Sequence, residues 1–255
     1  MTTGYDQLQL WIKLETQSFA LDSSNIRTPR LYGSPIKVPS YKGMYNGWGA
    51  FFGFGSLITL DRPIEFKKKQ WSISFWMLIP TIDTGMVHTL VQGVNGVRFV
   101  VVNPMGTRLA TFDQNTGKYR IGLKLDKLGV YGWHNIMIIY NKTKIRYYVD
   151  YVFKKKMQLT CDNPIKYIGN SADGSEPFGT FCDLRITDRV FTTRQIKQYS
   201  CYVPEFLDLQ PDFLSQRMHS SIPNFFQSLH LNIGPTSEAI LRFLANIAAN
   251  GKSFL

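Results

Sequence analysis

The segment WSISFWMLI, Trp71–Ile79, alternates with a period of two: Trp71, Ile73, Phe75 and Met77 fall on one face, Ser72, Ser74 and Trp76 on the other. A half-buried β-strand produces that pattern, and Trp76 among the serines predicts that the second face is covered as well. The same texture recurs on both sides. SLITL, VRFVVV, RLATF, HNIMIIY, KIRYYVDYVF and TFCDLRI are short runs rich in β-branched and aromatic residues, most of them separated by Gly, Pro, Asn or Asp. Many short strands without intervening helical periods predict an all-β, antiparallel sandwich or barrel. HNIMIIYNKTKIRYYVDYVF reads as a hairpin turning at Asn141 to Thr143, and FDQNTGKY as a second turn at Asn115 to Gly117.

The strand texture covers residues 1–203. Residues 204–255 differ: Pro204, Pro211, Pro223 and Pro235 cut them into short apolar pieces. The sequence TSEAILRFLANIAANG then predicts one helix, with Thr236 or Ser237 as N-cap and Gly251 as stop. Ile240, Phe243, Leu244 and Ile247 share a face that must pack, either on the sandwich or into a partner's groove.

Across 255 residues, Lys and Arg number 29 against 18 Asp and Glu, a net charge of +11. Such an excess favours an acidic partner, whether protein, nucleic acid or anionic lipid. It is concentrated in two runs, Lys67, Lys68, Lys69 and Lys154, Lys155, Lys156, with Lys118, Arg120, Lys124 and Lys127 between them. If these converge they form a cationic patch; alternatively, the lysines guard edge strands against pairing with other chains. The opening MTTGYDQLQLWIKLE lacks the pattern of a leader peptide, and no apolar run reaches the ~20 residues of a membrane span. Cys161, Cys182 and Cys201 are odd in number and form no CxxC, so free thiols in an intracellular, reducing compartment are expected.

With these pieces in order, residues Leu8 to about Tyr202 resemble the concanavalin A-like, laminin G-like and pentraxin-like β-sandwich. LWIKLE and FALDSSN are similar to its first strand and Asp-Ser-Ser turn, WSISFWM to its aromatic strand, and GWHNIMIIYN to its Trp-His strand. IRYYVDYV is similar to a strand that usually reads YVDG, and IGNSADGSEPFGTFCDLRITDRVFTTRQI to the terminal turn, strand and exit. The resemblance implies a two-sheet jelly roll, here with a short C-terminal helical extension. It admits lectins, calcium-dependent modules, glycosidases and plain interaction domains.

Catalysis finds little support. Glycosidases need two flanking carboxylates, and no Glu-x-Asp or Glu-x-Glu lies on an expected strand; Asp173 and Glu176 share a turn instead. GNSADG lacks the second glycine of a nucleophile elbow, and His88, His134, His219 and His230 are scattered. GWGAFFGFG leads into a strand without a helix to receive phosphate, and NGKSF follows a helix. No cofactor is expected. Weak calcium candidates are Asn170, Asp173, Glu176 and Asp183, with Asp22 a further oxygen; relatives often read IDDVR in the last strand, and here Cys182 replaces the first acid.

The expectation is therefore a non-catalytic interaction or scaffold subunit of a multi-subunit assembly, binding an acidic surface through basic edges and the C-terminal helix. A lectin-like glycan-binding module, with or without calcium, is the alternative, and a glycoside hydrolase the remote one.

Overall fold

The computed structural model describes residues 8–14, 22–39, 48–79, 85–128 and 132–201. These residues belong to one compact unit. The expected helix of residues 237–250, with Ile240, Phe243, Leu244 and Ile247, lies outside the described residues, as do His219 and His230.

Two antiparallel sheets form a sandwich. The first runs β13 (Val152–Gln158), β12 (Lys144–Val149), β11 (Gly132–Asn141), β6 (Gln70–Ile79), β15 (Gly179–Thr187), β4 (Trp48–Phe52) and β3 (Ile36–Pro39), with β1 (Leu10–Ile12) also paired to β15. The second runs β10 (Lys118–Lys124), β9 (Arg108–Asp113), β8 (Arg98–Val102), β7 (His88–Gly93), β14 (Ile165–Ile168), β5 (Leu57–Ile64) and β2 (Arg30–Tyr32). The jelly-roll expectation is met.

Alternation in β6 holds as the sequence predicts. Trp71, Ile73, Phe75 and Met77 are buried between the sheets, where Trp71 stacks on Tyr140 and meets Phe99 of the second sheet at 4.9 Å between ring centroids. Its indole nitrogen donates to the Cys161 carbonyl at 2.6 Å, so a polar atom inside the core is satisfied. The serine face is covered too. Ser72 Oγ donates to the Arg189 carbonyl and accepts from the Phe191 amide, and Met137, Ile139, Phe191 and Ile196 form a small apolar cluster there.

α1 (Thr193–Cys201) opens with a reciprocal cap: Gln195 N–H donates to Thr192 Oγ1, and Thr192 N–H to Gln195 Oε1. One expectation needs correction. KIRYYVDYVF is not one strand: Asp150 and Tyr151, with φ of 49° and 65°, make a left-handed two-residue turn, and Val152 and Phe153 begin β13. The last strand also breaks its alternation. Cys182 pairs Trp76 but Arg185 pairs Ser74, so β15 carries an extra residue, with Asp183 at φ 50°. That bulge brings Phe181 onto the same side as Leu184 and Ile186, and Cys182 is buried as well.

Near the β10–β13 edge the sheets close on each other through one pair. Tyr147 is buried, and a Cβ at Gly122 would lie 2.2 Å from its ring, so only glycine lets the ring pass. The Tyr147 hydroxyl donates to Thr111 Oγ1 across the sandwich, and burial pushes its pKa well up.

Candidate functional site

Three of the four calcium candidates meet in the turn after β14. Asn170 is fully buried and acts as its hub: Nδ2 donates to the carbonyls of Gly53, Ser56 and Gly174, while Oδ1 accepts from the amides of Ser171 and Glu176. Asp173 Oδ1 accepts from Ser171 Oγ, Ser175 Oγ and the Ser175 amide, and these bonds hold its carboxyl down at about 2. The turn seats closely on its neighbour, because Gly174, at φ 74°, would push a Cβ to 2.9 Å from Gly55 Cα.

Glu176 points away from this network. Both its oxygens are engaged by the Arg98 guanidinium, and Thr89 Oγ1 donates to Oε2 at 2.6 Å. The bond to Glu176 raises the Arg98 pKa, and the Arg98 charge also acts on the nearby Tyr119 phenol. The fourth candidate, Asp183, is elsewhere. It accepts from Trp11 Nε1 at 2.8 Å and pairs with Arg185 at 2.8 Å, while burial pushes its carboxyl up. Asp22 is likewise consumed, by the amides of Trp11, Ser24, Ile26 and Arg27.

Each acid is therefore held by protein donors, as turn cap or ion pair, and the set does not fit a calcium shell. Among the described residues no group of three His, Cys, Asp or Glu side chains could hold a metal ion. His88 is buried against the carbonyls of Pro177 and Pro104, and His134 Nδ1 lies 2.7 Å from Asp150. Both bind their own fold.

The basic residues behave differently. β13 is the edge of one sheet and β10 the edge of the other, and Lys155 Nζ donates to the Ile121 carbonyl at 2.7 Å, so the two edges face each other along one flank. Lys118, Arg120, Lys124, Lys154, Lys155 and Lys156 are all exposed there. The run Lys67–Lys69 joins the end of this flank: Lys69 O accepts from the Lys142 amide, and Gln70 pairs Asn141 while Lys144 pairs Gln158. Three strand spacings, about 15 Å, separate the two lysine runs there. Lys69 has Asp162 beside it at 3.6 Å, across an exposed gap, and Lys118 pairs Asp113 across β10 and β9.

Residues 52–197, more than half of the chain, match the family model described as the concanavalin A-like lectin/glucanases superfamily. The chain belongs to this superfamily.

Solved structures agree on the fold. The superfamily domain is similar to the receptor binding domain of botulinum neurotoxin C/D mosaic serotype, at 15% identity and TM-score 0.54 over 77% of this chain. It is similar also to the binding domain of Paraclostridial Mosquitocidal Protein 1, at 14% identity and TM-score 0.57 over 77% of this chain. It spans about half of each of those domains, 51% and 52%. Domain 4 of AbnA, a GH43 extracellular arabinanase from Geobacillus stearothermophilus, in complex with arabinotriose, matches at 17% identity and TM-score 0.55, over 76% of this chain and 98% of that domain. No curated protein matches the chain.

The sequence missed Arg98 and Tyr119. The available signal was one cation opening the otherwise apolar strand VRFVVV, since a charge at the mouth of a buried run needs a partner.

Proposed function

We propose that the described domain is a non-catalytic recognition module that engages an acidic partner surface along the flank formed by β10 and β13, within a larger assembly. The observation that carries this is the meeting of two edge strands whose six exposed cations have no acid on either strand. Six like charges on one flank attract an opposite surface over roughly a Debye length, about 8 Å at physiological salt. The candidate carboxylates Asp173, Glu176 and Asp183 are committed to ion pairs and caps, which argues against a role as acid and base. A reducing compartment suits Cys161 and Cys182, which are free and buried.

The test is binding of soluble polyglutamate to the full chain. Binding that weakens steeply with salt and disappears in Lys154→Glu/Lys155→Glu/Lys156→Glu supports the flank. Unchanged binding in that variant removes it.

A second reading, glycan recognition, has its own support. On the second sheet, Tyr119 is 41% exposed beside the Arg98 guanidinium that Glu176 holds in place, an aromatic face next to fixed polar groups. The similar arabinanase domain was solved with arabinotriose. Glycan-array binding lost on Tyr119→Ala, with polyglutamate binding intact, would favour this second surface.

A further inference from the structure

The flank is not only basic. Val152 is 57% exposed and Phe153 52%, at the start of β13, and Ile121 on β10 is 37% exposed. Phe153 meets Tyr148 edge-on at 5.6 Å between centroids, so its ring is held in a fixed direction. These apolar groups lie among Lys154, Lys155 and Lys156 on one strand and Lys118, Arg120 and Lys124 on the other. Neither VFKKKMQ nor KYRIGLK contains an acid. Of the acids nearby, Asp113 is held by Thr116 Oγ1 and the amides of Asn115 and Thr160, Asp150 by His134 and the Asn135 amide, and Asp162 lies against Lys69. Asp126 is exposed just past the end of β10.

We infer that this flank docks edge-on against an anionic lipid bilayer, with Phe153 and Val152 entering the headgroup layer and the six cations resting on the lipid charges. The inference rests on the acidic-partner reading and names that partner's chemistry. Charge complementarity requires an anionic surface. The aliphatic side chain chooses among anionic surfaces: a nucleic acid would reward cations and stacking aromatics, but Val152 gains only where apolar material receives it. Lysine suits such a boundary, because its stem lies along apolar material while the ammonium stays at the headgroups. Each strand is seven residues, roughly 23 Å long, and the sheets stand ~10 Å apart, so the flank is a narrow strip that meets a flat surface along its length.

The experiment is co-sedimentation of the full chain with phosphatidylcholine vesicles, with and without phosphatidylserine, beside a soluble polyglutamate control. The expected result is binding only to the phosphatidylserine vesicles. Lys154→Ala/Lys155→Ala/Lys156→Ala should weaken it about 100-fold, taking about fivefold per lysine. Val152→Ser/Phe153→Ser should weaken it by about tenfold while leaving polyglutamate binding unchanged. Polyglutamate binding without vesicle binding, or vesicle binding indifferent to Val152→Ser/Phe153→Ser, overturns the bilayer and leaves an acidic macromolecule as partner. Loss of both bindings removes the acidic-partner reading as well. Urea unfolding of each variant verifies that the sandwich is intact, since all five positions are outside the core.

Discussion

The acids of the second sheet's rim and the lysines of the β13 edge are both dense clusters of charge, yet they are used in opposite ways. Asp173, itself exposed, caps its own turn through serines, Glu176 turns inward to a threonine and an arginine, and Asp183 is buried against Arg185 and Trp11. Lys154 and Lys156 stand on an exposed edge. Charge that is desolvated and paired fixes the fold and is costly to disturb; charge left in water contributes little to stability and remains available to a partner.

Substitutions should separate the two regions in order of cost. Asp183→Ala removes the buried carboxylate that pairs with Arg185 and should lower unfolding stability by about 3 to 5 kcal/mol in urea titration. A cost below 1 kcal/mol would mean the bulge does not depend on this pair. Gly122→Ala forces a methyl against the Tyr147 ring and should cost about 1 to 3 kcal/mol, read by the same titration. Glu176→Gln keeps the shape but removes the charge facing Arg98, and a loss of about 1 to 2 kcal/mol is expected.

Acid titration sharpens the contrast between the carboxylates themselves. Asp173 has its folded pKa lowered, to about 2, so its contribution is complete above the unfolded value near 4 and is lost as pH falls through about 2. Asp173→Asn should remove that part of the acid profile. Asp183 has the opposite sign: its pKa is raised by burial, so the cost of its charge is relieved as pH falls. The smallest stability effect belongs to the lysines: Lys154→Glu/Lys155→Glu/Lys156→Glu should change unfolding by within about 0.5 kcal/mol per site. A large loss would mean that the edge charges also hold the fold.

Much of the architecture was legible because it rests on local pattern. Period-two alternation in WSISFWM placed four side chains between the sheets. The reading failed where backbone geometry departs from the pattern. The turn at Asp150–Tyr151 contains no glycine, and the bulge at Asp183 looks like ordinary alternation until its partner strand counts one residue fewer. Asn170, Asp173 and Glu176 were found as oxygens near one another, but their partners could not be found. Arg98 is 78 residues from Glu176, and only the pairing of β7 with β8 and β14 brings them together.

The sequence by itself determined that this is an all-β sandwich with an excess of cations, because hydrophobic period and composition are properties of neighbouring residues, and its strand motifs carried the resemblance to the concanavalin A-like family. Tertiary structure alone decided what the charges do. Whether a carboxylate is spent or a lysine is free depends on strands far apart in the chain: Trp11 closing over Asp183, Thr89 and Arg98 over Glu176, and β10 brought opposite β13 so that two separate basic stretches share one flank.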